Sequence, residues 1–479
     1  MEENLYLPGN PRYQPKELKS IFGYDNLYRK AIEVEIATLK TLHEIEVIPT
    51  ADFKLLTDEV KKSLRQITTT MVDKVERETT HHDVRALVQI MQSRMEKGIA
   101  RWVHIPLTSY DPLDTARSLQ FLEAYEQATK ISTAAVVGLM SKLVRENSQK
   151  LQVGRTHGQH ALPITVGFWL ATILSRIVYN WEMMDAASKA LKGKISGAVG
   201  AYNAQLALGF ISRTDGEGFE ELVLKKLGLE PAPISTQILP PEPLAYFLFS
   251  ATCLSASLAQ FGRDCRHLMR SEIAEITESF ESTQVGSSTM AHKRNPITFE
   301  NLEGTYLKTK SEFGKVLDTM ISEHQRDLVG SSIMRDFPII IVNLQQQLNA
   351  LTKTNKAGIP FLSRIKVDAE RCQKNFEQSA ELILAEPLYI ALQMSGYEGD
   401  AHELVNRRLV PICQKTKKPL ITILEELGQE DEGLKQLYES IPLGLKDMFL
   451  HPGDYTGQAS LKAIQIANHA DEVREQIMN

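Results

Sequence analysis

Residues 111–147 read DPLDTARSLQFLEAYEQATKISTAAVVGLMSKLVREN, and this stretch decides the fold class. Asp111-Pro112 reads as an N-cap followed by proline at the first helical position. No further proline occurs until Pro163. Some 36 residues therefore predict one helix of roughly 54 Å at 1.5 Å per residue.

The same spacing extends outward. The chain has 479 residues and 20 prolines, with none from 113 to 162, 164 to 230, 244 to 295 or 297 to 337. Long intervals without a helix breaker predict long helices and argue against a sandwich, barrel or propeller. Pro163 reads as the start of a second long helix, in which Val166, Leu170, Ile173, Ile177, Trp181 and Met184 form a nearly heptad stripe suited to bundle packing. A third long helix is expected over 244–279, and helix resumes after Pro296. Residues 231–243 (PAPISTQILPPEP) hold five prolines and predict an irregular connection. Before about residue 110 the pattern is of short helices, with Ala31, Val34, Ile36, Leu39 and Leu42 at a helical period. After Gly358-Ile359-Pro360, ELILAEPLYIALQ and AHELVNRRLVPIC read as amphipathic helices. The expected architecture is all-α, with helical domains over 1–110, 111–360 and 361–479 and a central long-helix bundle. About 150 residues per domain agrees with three.

Composition narrows the function classes. With 54 basic and 60 acidic residues the net charge is −6, and 24% charged against 43% hydrophobic residues is an ordinary globular balance. Net acidity without a Lys/Arg run argues against nucleic acid as a partner. Four cysteines without a CxxC pair make no disulfide scaffold, so a reducing, cytoplasmic setting is expected. The opening MEENLYLPGNPRY is unlike a secretory signal. Two uncharged windows, 156–175 and 243–262, carry enough polar residues to read as buried bundle helices, and no membrane is expected. P-loop, Rossmann and zincin patterns are absent.

Two segments have the residue types for acid–base chemistry. GSSTMAHKRNP at 286–296 offers backbone N–H groups in a small-residue loop, then Lys293 and Asn295 ahead of a helix N-terminus, a natural anion site. A solvated interhelical loop contains the same residue classes. GRTHGQHALP at 154–163 places His157 and His160 between glycine and proline. These suit proton transfer or a purely structural role, and without a neighbouring carboxylate or cysteine cluster the case for zinc is weak. Thr80-His81-His82-Asp83 and Thr108-Ser109-Tyr110-Asp111 read as polar sites or as helix caps. Arg326 and Arg335 flank a serine pair in RDLVGSSIMR, as phosphate ligands or as surface arginines. Arg12-Tyr13 sits in a proline-flanked arm.

In this order, Thr108-Ser109-Tyr110-Asp111 with Asp114-Thr115, Gly154-Arg155-Thr156-His157 and the GSSTMAHKRNP loop resemble the fumarase/aspartase superfamily of helical lyases, from Arg12 to about Arg408. Arg12-Tyr13, His81-His82-Asp83-Val84, Ser235-Thr236-Gln237, the KRNP ending and RDLVGSSIMR are similar to its purine-nucleotide branch. The resemblance implies release of fumarate from a succinylated nucleotide, a homotetramer with shared active sites, and no metal or organic cofactor. It implies Ser287 as the base, His157 as the acid, Glu300 orienting that histidine, and Lys293 and Asn295 meeting carbanion charge. His82 is implied as a second imidazole near the phosphate and leaving group. Thr108, Ser109, Thr156 and Gln237 are implied to hold substrate oxygens, and Arg12, Tyr13, Arg326, Ser331 and Arg335 the nucleotide part and its phosphate. Two departures stand out: Met290-Ala291 where the superfamily has Met-Pro, and Leu239-Pro240-Pro241-Glu242-Pro243 after Ser-Thr-Gln. Other readings are argininosuccinate lyase, carboxymuconate cycloisomerase or a non-catalytic helical scaffold.

The long helix also carries an argument of its own. It separates Ser109 from His157 by its full length, so a small substrate touches both only where different subunits supply them.

Overall fold

In the computed structural model, which describes residues 9–214, 216–278, 290 and 293–479, the proline-free stretches become long helices. Helix α1 (Tyr24–Glu44) and α2 (Asp83–Ser93) belong to the N-terminal part. Tyr110–Ala124 and Lys130–Glu146, joined through a five-residue π turn at Tyr125–Thr129, form one helix, α3. A hairpin follows, with β1 at Leu151–Thr156 and β2 at Gln159–Thr165. Then come α4 (Val166–Lys189), α5 (Glu242–Leu268), the short strand β3 (Ile276–Thr277), α6 (Ile297–Asp318) and α7 (Pro338–Thr352). Strand β4 (Lys366–Val367) pairs antiparallel with β3, and short helices lead to α8 (Ala459–Met478). The strands described form only two-stranded pairs, so the fold class is all-α.

Three helix boundaries differ from the sequence reading. Pro163 does not begin a helix: it lies in β2 opposite Val153, and α4 starts three residues later. There the Thr165 hydroxyl accepts from Phe168 N at 3.1 Å and caps the helix. Asp111 is not an N-cap either, because α3 already begins at Tyr110 and the Asp111 side chain is fully buried. The third helix ends at Leu268 rather than near 279; the chain then turns and runs extended through β3.

The bundle core is built from α3 to α7 and closed by α8. All six stripe residues of α4, from Val166 to Met184, are buried, and full burial of such side chains contributes roughly 1.5–3 kcal/mol each. Close approach is enforced at Gly262 of α5, where a Cβ would lie 2.6 Å from the Phe299 carbonyl oxygen. Alanine there would force α5 and α6 apart. Helix α5 is long and apolar enough to cross a membrane by length and composition alone, yet 67% of its apolar window is buried in the bundle. A second core lies under α1, α2 and the start of α3 and includes Ile195, Phe219 and Leu224; a third lies among the helices from Phe376 to Phe449.

Hydrogen bonds fix the direction of the helices. Gly167 N bonds the Asn147 carbonyl at 2.8 Å, so α4 begins where α3 ends. Trp169 Nε1 donates to Asp264 at 2.9 Å, which puts the end of α5 beside the start of α4. Leu239 N donates to Asp114 at 3.0 Å, bringing the approach to α5 back to the start of α3. The bundle therefore has a first end, where α3 and α5 start, and a second end, where α4 and α6 start.

Candidate active site

At the first end the loop before α3 is held from both sides. Buried Glu35 of α1 accepts from His104 N at 2.9 Å and pairs with its Nδ1 at 2.7 Å. Burial works against a charged imidazole, but the hydrogen bond and charge of Glu35 outweigh it, and the His104 pKa is raised above the ordinary 6.5. Across the loop, Asp111 accepts from Thr108 N at 2.7 Å with one oxygen and pairs with the wholly buried Lys194 through the other. Lys194 also reaches the Gly197 carbonyl, which ties the 192–197 segment to the helix start.

Six of the expected site residues meet on this frame. Ser109 Oγ lies 3.5 Å from His82 Nε2, and His82 caps α2 through Nδ1, also at 3.5 Å, from Arg85 N. The Arg326 guanidinium sits 3.5 Å above the Tyr110 ring and donates through Nη1 to Gln237 Oε1 at 2.6 Å. Tyr110 Oη and Ser331 Oγ are 2.5 Å apart. Thr108 follows from its bond to Asp111. Arg326 Nε is buried without a hydrogen-bond partner among the described residues. Arg335 is exposed four residues beyond Ser331, in the short run Met334–Asp336. Beneath this cluster the Asp114 carboxyl is buried, which raises its pKa although Arg117 bonds it at 3.0 Å.

The second end holds the other group. Thr156 closes β1, and His157 and Gly158 form the two-residue turn, with φ of +53° and +76°. Positive φ at both positions is the hairpin turn that matches strand twist, and Gly158 supplies the left-handed conformation without strain. His157 is exposed at the tip. His160 is fixed by Ser379 at 2.8 Å, and burial with the nearby Arg155 charge keeps its pKa below the ordinary value. Lys293 is exposed and Asn295 half-buried just before α6, while Glu300 is exposed in its first turn. Ser287 lies outside the described residues.

Arg12 and Tyr13 belong to neither end. They form a 3₁₀ turn capped by Asn10, beside a cavity also lined by Leu307, Ser311 and Asn343 on the flank of α6 and α7.

Sequence reasoning passed over four contributors. Tyr110 was visible only as part of a motif, yet it is the platform under Arg326. Lys194 sits in LKGKISGAVG, where a lysine among small and apolar residues is a signal of a buried ion pair. Glu278 accepts from Thr298 N and Phe299 N at 3.0 and 3.2 Å and so caps α6; Glu275 anchors the hairpin through Arg155. Neither glutamate carries a local signal, because each partner is distant in sequence.

A long-helix bundle with histidine, lysine and arginine side chains gathered at its two ends fits a helical lyase. The chain belongs to the lyase family, whose sequence profile, described as Lyase, matches residues 14–309. Among its relatives, the adenylosuccinate lyase of Pyrococcus abyssi is 30% identical over 97% of this chain and 98% of its own. That of Archaeoglobus fulgidus is 31% identical over 97% and 99%, and that of Methanocaldococcus jannaschii 32% over 88% and 87%. Among solved structures, a fumarate lyase from Mesorhizobium sp. BNC1 superposes with a TM-score of 0.77 at 19% identity, over 96% of this chain and all of the other. A 3-carboxy-cis,cis-muconate lactonizing enzyme from Pseudomonas putida gives 0.76 at 21%, covering 96% and 98%. These two establish the shared fold.

Proposed function

We propose that this lyase eliminates fumarate from adenylosuccinate, giving AMP, and from succinylaminoimidazole-carboxamide ribotide, giving AICAR, in purine nucleotide biosynthesis. The observation that carries this reading is Arg326. Its guanidinium is held flat on Tyr110 and tied to Gln237, its Nε is buried and unpartnered among the described residues, and Ser331 stands beside it. Such a prearranged fork suits a phosphate, which the substrates of argininosuccinate lyase and carboxymuconate cycloisomerase do not carry. The name shared by the curated relatives points the same way.

In the proposed reaction Ser287, as the alkoxide, removes a proton from the succinyl carbon next to a carboxylate. Lys293 and loop N–H groups are the local candidates for stabilising that alkoxide. Carbanion charge spreads onto the carboxylate, where Lys293 and Asn295 meet it with preset charge and hydrogen bonding. The carbon–nitrogen bond then breaks, its electron pair leaves with nitrogen, and His157 supplies the proton that nitrogen takes up. The carbon–carbon double bond of fumarate forms in the same step. Glu300 orients His157, His82 stands near the leaving group and phosphate, and Thr108, Ser109, Thr156 and Gln237 hold substrate oxygens. Arg12, Tyr13 and Arg335 complete the nucleotide contacts. No metal or organic cofactor enters the scheme.

The working form we propose is a cytoplasmic homotetramer with shared sites. Helix α3 runs 37 residues, about 55 Å, between the Ser109 group and the His157 hairpin. A nucleotide bridges them only where subunits place opposite ends together.

Fumarate release, followed by absorbance with purified protein, tests the assignment. Turnover of adenylosuccinate is expected and none of argininosuccinate; activity only on the latter overturns it. Folded Ser287→Ala with undiminished turnover overturns the mechanism, and no turnover of any succinylated substrate would leave the scaffold reading.

A further inference from the structure

We infer that Glu275 is a positioning residue for His157, acting through Arg155 to fix the hairpin on which the proposed acid is carried. This rests on the reading of His157 given above. Glu275 is fully buried, and its two carboxylate oxygens receive four N–H donors. Oε1 accepts from Arg155 Nη2 at 2.5 Å and from Asn375 Nδ2 at 2.9 Å. Oε2 accepts from Arg155 Nη1 at 3.2 Å and from Gln152 Nε2 at 2.8 Å. Three of the four donors therefore come from β1, two of them from the residue two positions before His157. The fork-shaped guanidinium against a planar carboxylate fixes orientation as well as distance.

The glutamate itself is immobilised by backbone bonds. Its N–H donates to the Leu268 carbonyl at 3.0 Å, and its carbonyl accepts from Asp368 N at 2.9 Å. The β3–β4 pair follows directly, and three residues on Glu278 caps the first turn of α6. The hairpin tip projects from this anchorage into solvent, and among the described residues Arg155–Glu275 is the side-chain restraint nearest to the imidazole along β1. A regular pairing would not hold it alone, because the register of β1 against β2 shifts between Val153 and Arg155.

Glutamine at 275 has nearly the same shape but only one acceptor oxygen. Gln152 or Asn375 can turn its amide to meet the new N–H, but Arg155 has no acceptor, so either orientation of the substituted amide sets N–H against N–H at one of its two bonds to Arg155. The hairpin should then lose its fixed aim while the surrounding helices keep their packing. A misplacement of about 1 Å in a reacting group can cost on the order of 100-fold.

The test combines Glu275→Gln, His157→Ala and the double variant in the full-length enzyme, with hydrogen exchange of the 151–165 segment as an independent readout. Glu275→Gln is expected to lower kcat about 10- to 100-fold, to leave KM within about threefold, and to speed exchange in the hairpin. The double variant is expected to be no slower than His157→Ala alone, because the aim of an absent side chain is without effect. Unchanged kcat in folded Glu275→Gln overturns the inference, as does a double variant whose losses multiply. Faster hairpin exchange together with undiminished turnover in His157→Ala would instead overturn the role given to His157, while the anchorage itself would stand.

Discussion

Replacing Arg326 by alanine removes a side chain whose geometry is set before any ligand arrives. Stacking at 3.5 Å on Tyr110 and the 2.6 Å bond to Gln237 hold the guanidinium in one orientation, so little side-chain entropy would be lost on binding the phosphate proposed for its remaining donors. A hydrogen bond to a charged group contributes about 1.5–3 kcal/mol net. Taking about 2–3 kcal/mol for the lost grip, and about 1.36 kcal/mol per decade, KM for adenylosuccinate should rise roughly 30- to 150-fold. Because the phosphate is remote from the breaking bond, it is held equally in ground and transition states, and kcat should change little. Steady-state fumarate release gives both constants. Competitive inhibition by AMP should weaken by the same factor, and inhibition by adenosine, which has no phosphate, should not. Arg326→Lys keeps the charge but loses the fork and the stack, so its KM should fall between the two. An unchanged KM in folded Arg326→Ala, or equal weakening of AMP and adenosine, refutes the phosphate reading.

Three further outcomes are expected. Asp111→Ala leaves the Lys194 ammonium buried without its counter-ion, which costs about 3–5 kcal/mol, and Asp111→Ala with Lys194→Met should recover much of the loss in urea midpoint. Mixing Ser109→Ala chains with His157→Ala chains should restore activity that neither has alone; verified mixed tetramers without recovery would remove the case for shared sites. The folded-state pKa of His104 is raised, so its contribution to stability is complete below the unfolded value of about 6.5 and is lost as pH rises through the higher folded value. Unfolding midpoints of the intact protein should therefore fall over that window, and Glu35→Gln should flatten the fall.

The bundle was legible where local pattern and tertiary packing agree. The 111–147 stretch reads as one helix because it lacks breakers, and the α4 stripe from Val166 to Met184 is buried as its period demands. The π turn at Tyr125–Thr129 was hidden, since it includes Tyr125, whose hydroxyl is bonded to Asp185 of α4 at 2.9 Å, a contact no local rule encodes. Pro163 misled because proline starts helices and also tolerates hairpin strands, and only its pairing with Val153 decides between them. Of the site, the polar motifs marked both ends of the bundle. The frames behind them were not visible: Asp111 with Lys194 and Arg155 with Glu275 join residues 83 and 120 positions apart.

The π turn in α3 also has a bearing on length variation. A π turn accommodates one residue more than a regular α-helix needs over the same rise. Each helical residue advances the chain by about 1.5 Å and turns it by about 100°. Deleting one residue from Tyr125–Thr129 would restore a plain helix and leave everything beyond Lys130 in phase with Tyr110, whereas a deletion in the regular parts of α3 would swing it by about a quarter-turn. Helix α3 thus acts as a phase-setting shaft between the two ends of the bundle, and single-residue deletions should be tolerated at the π turn far better than in the regular turns on either side of it.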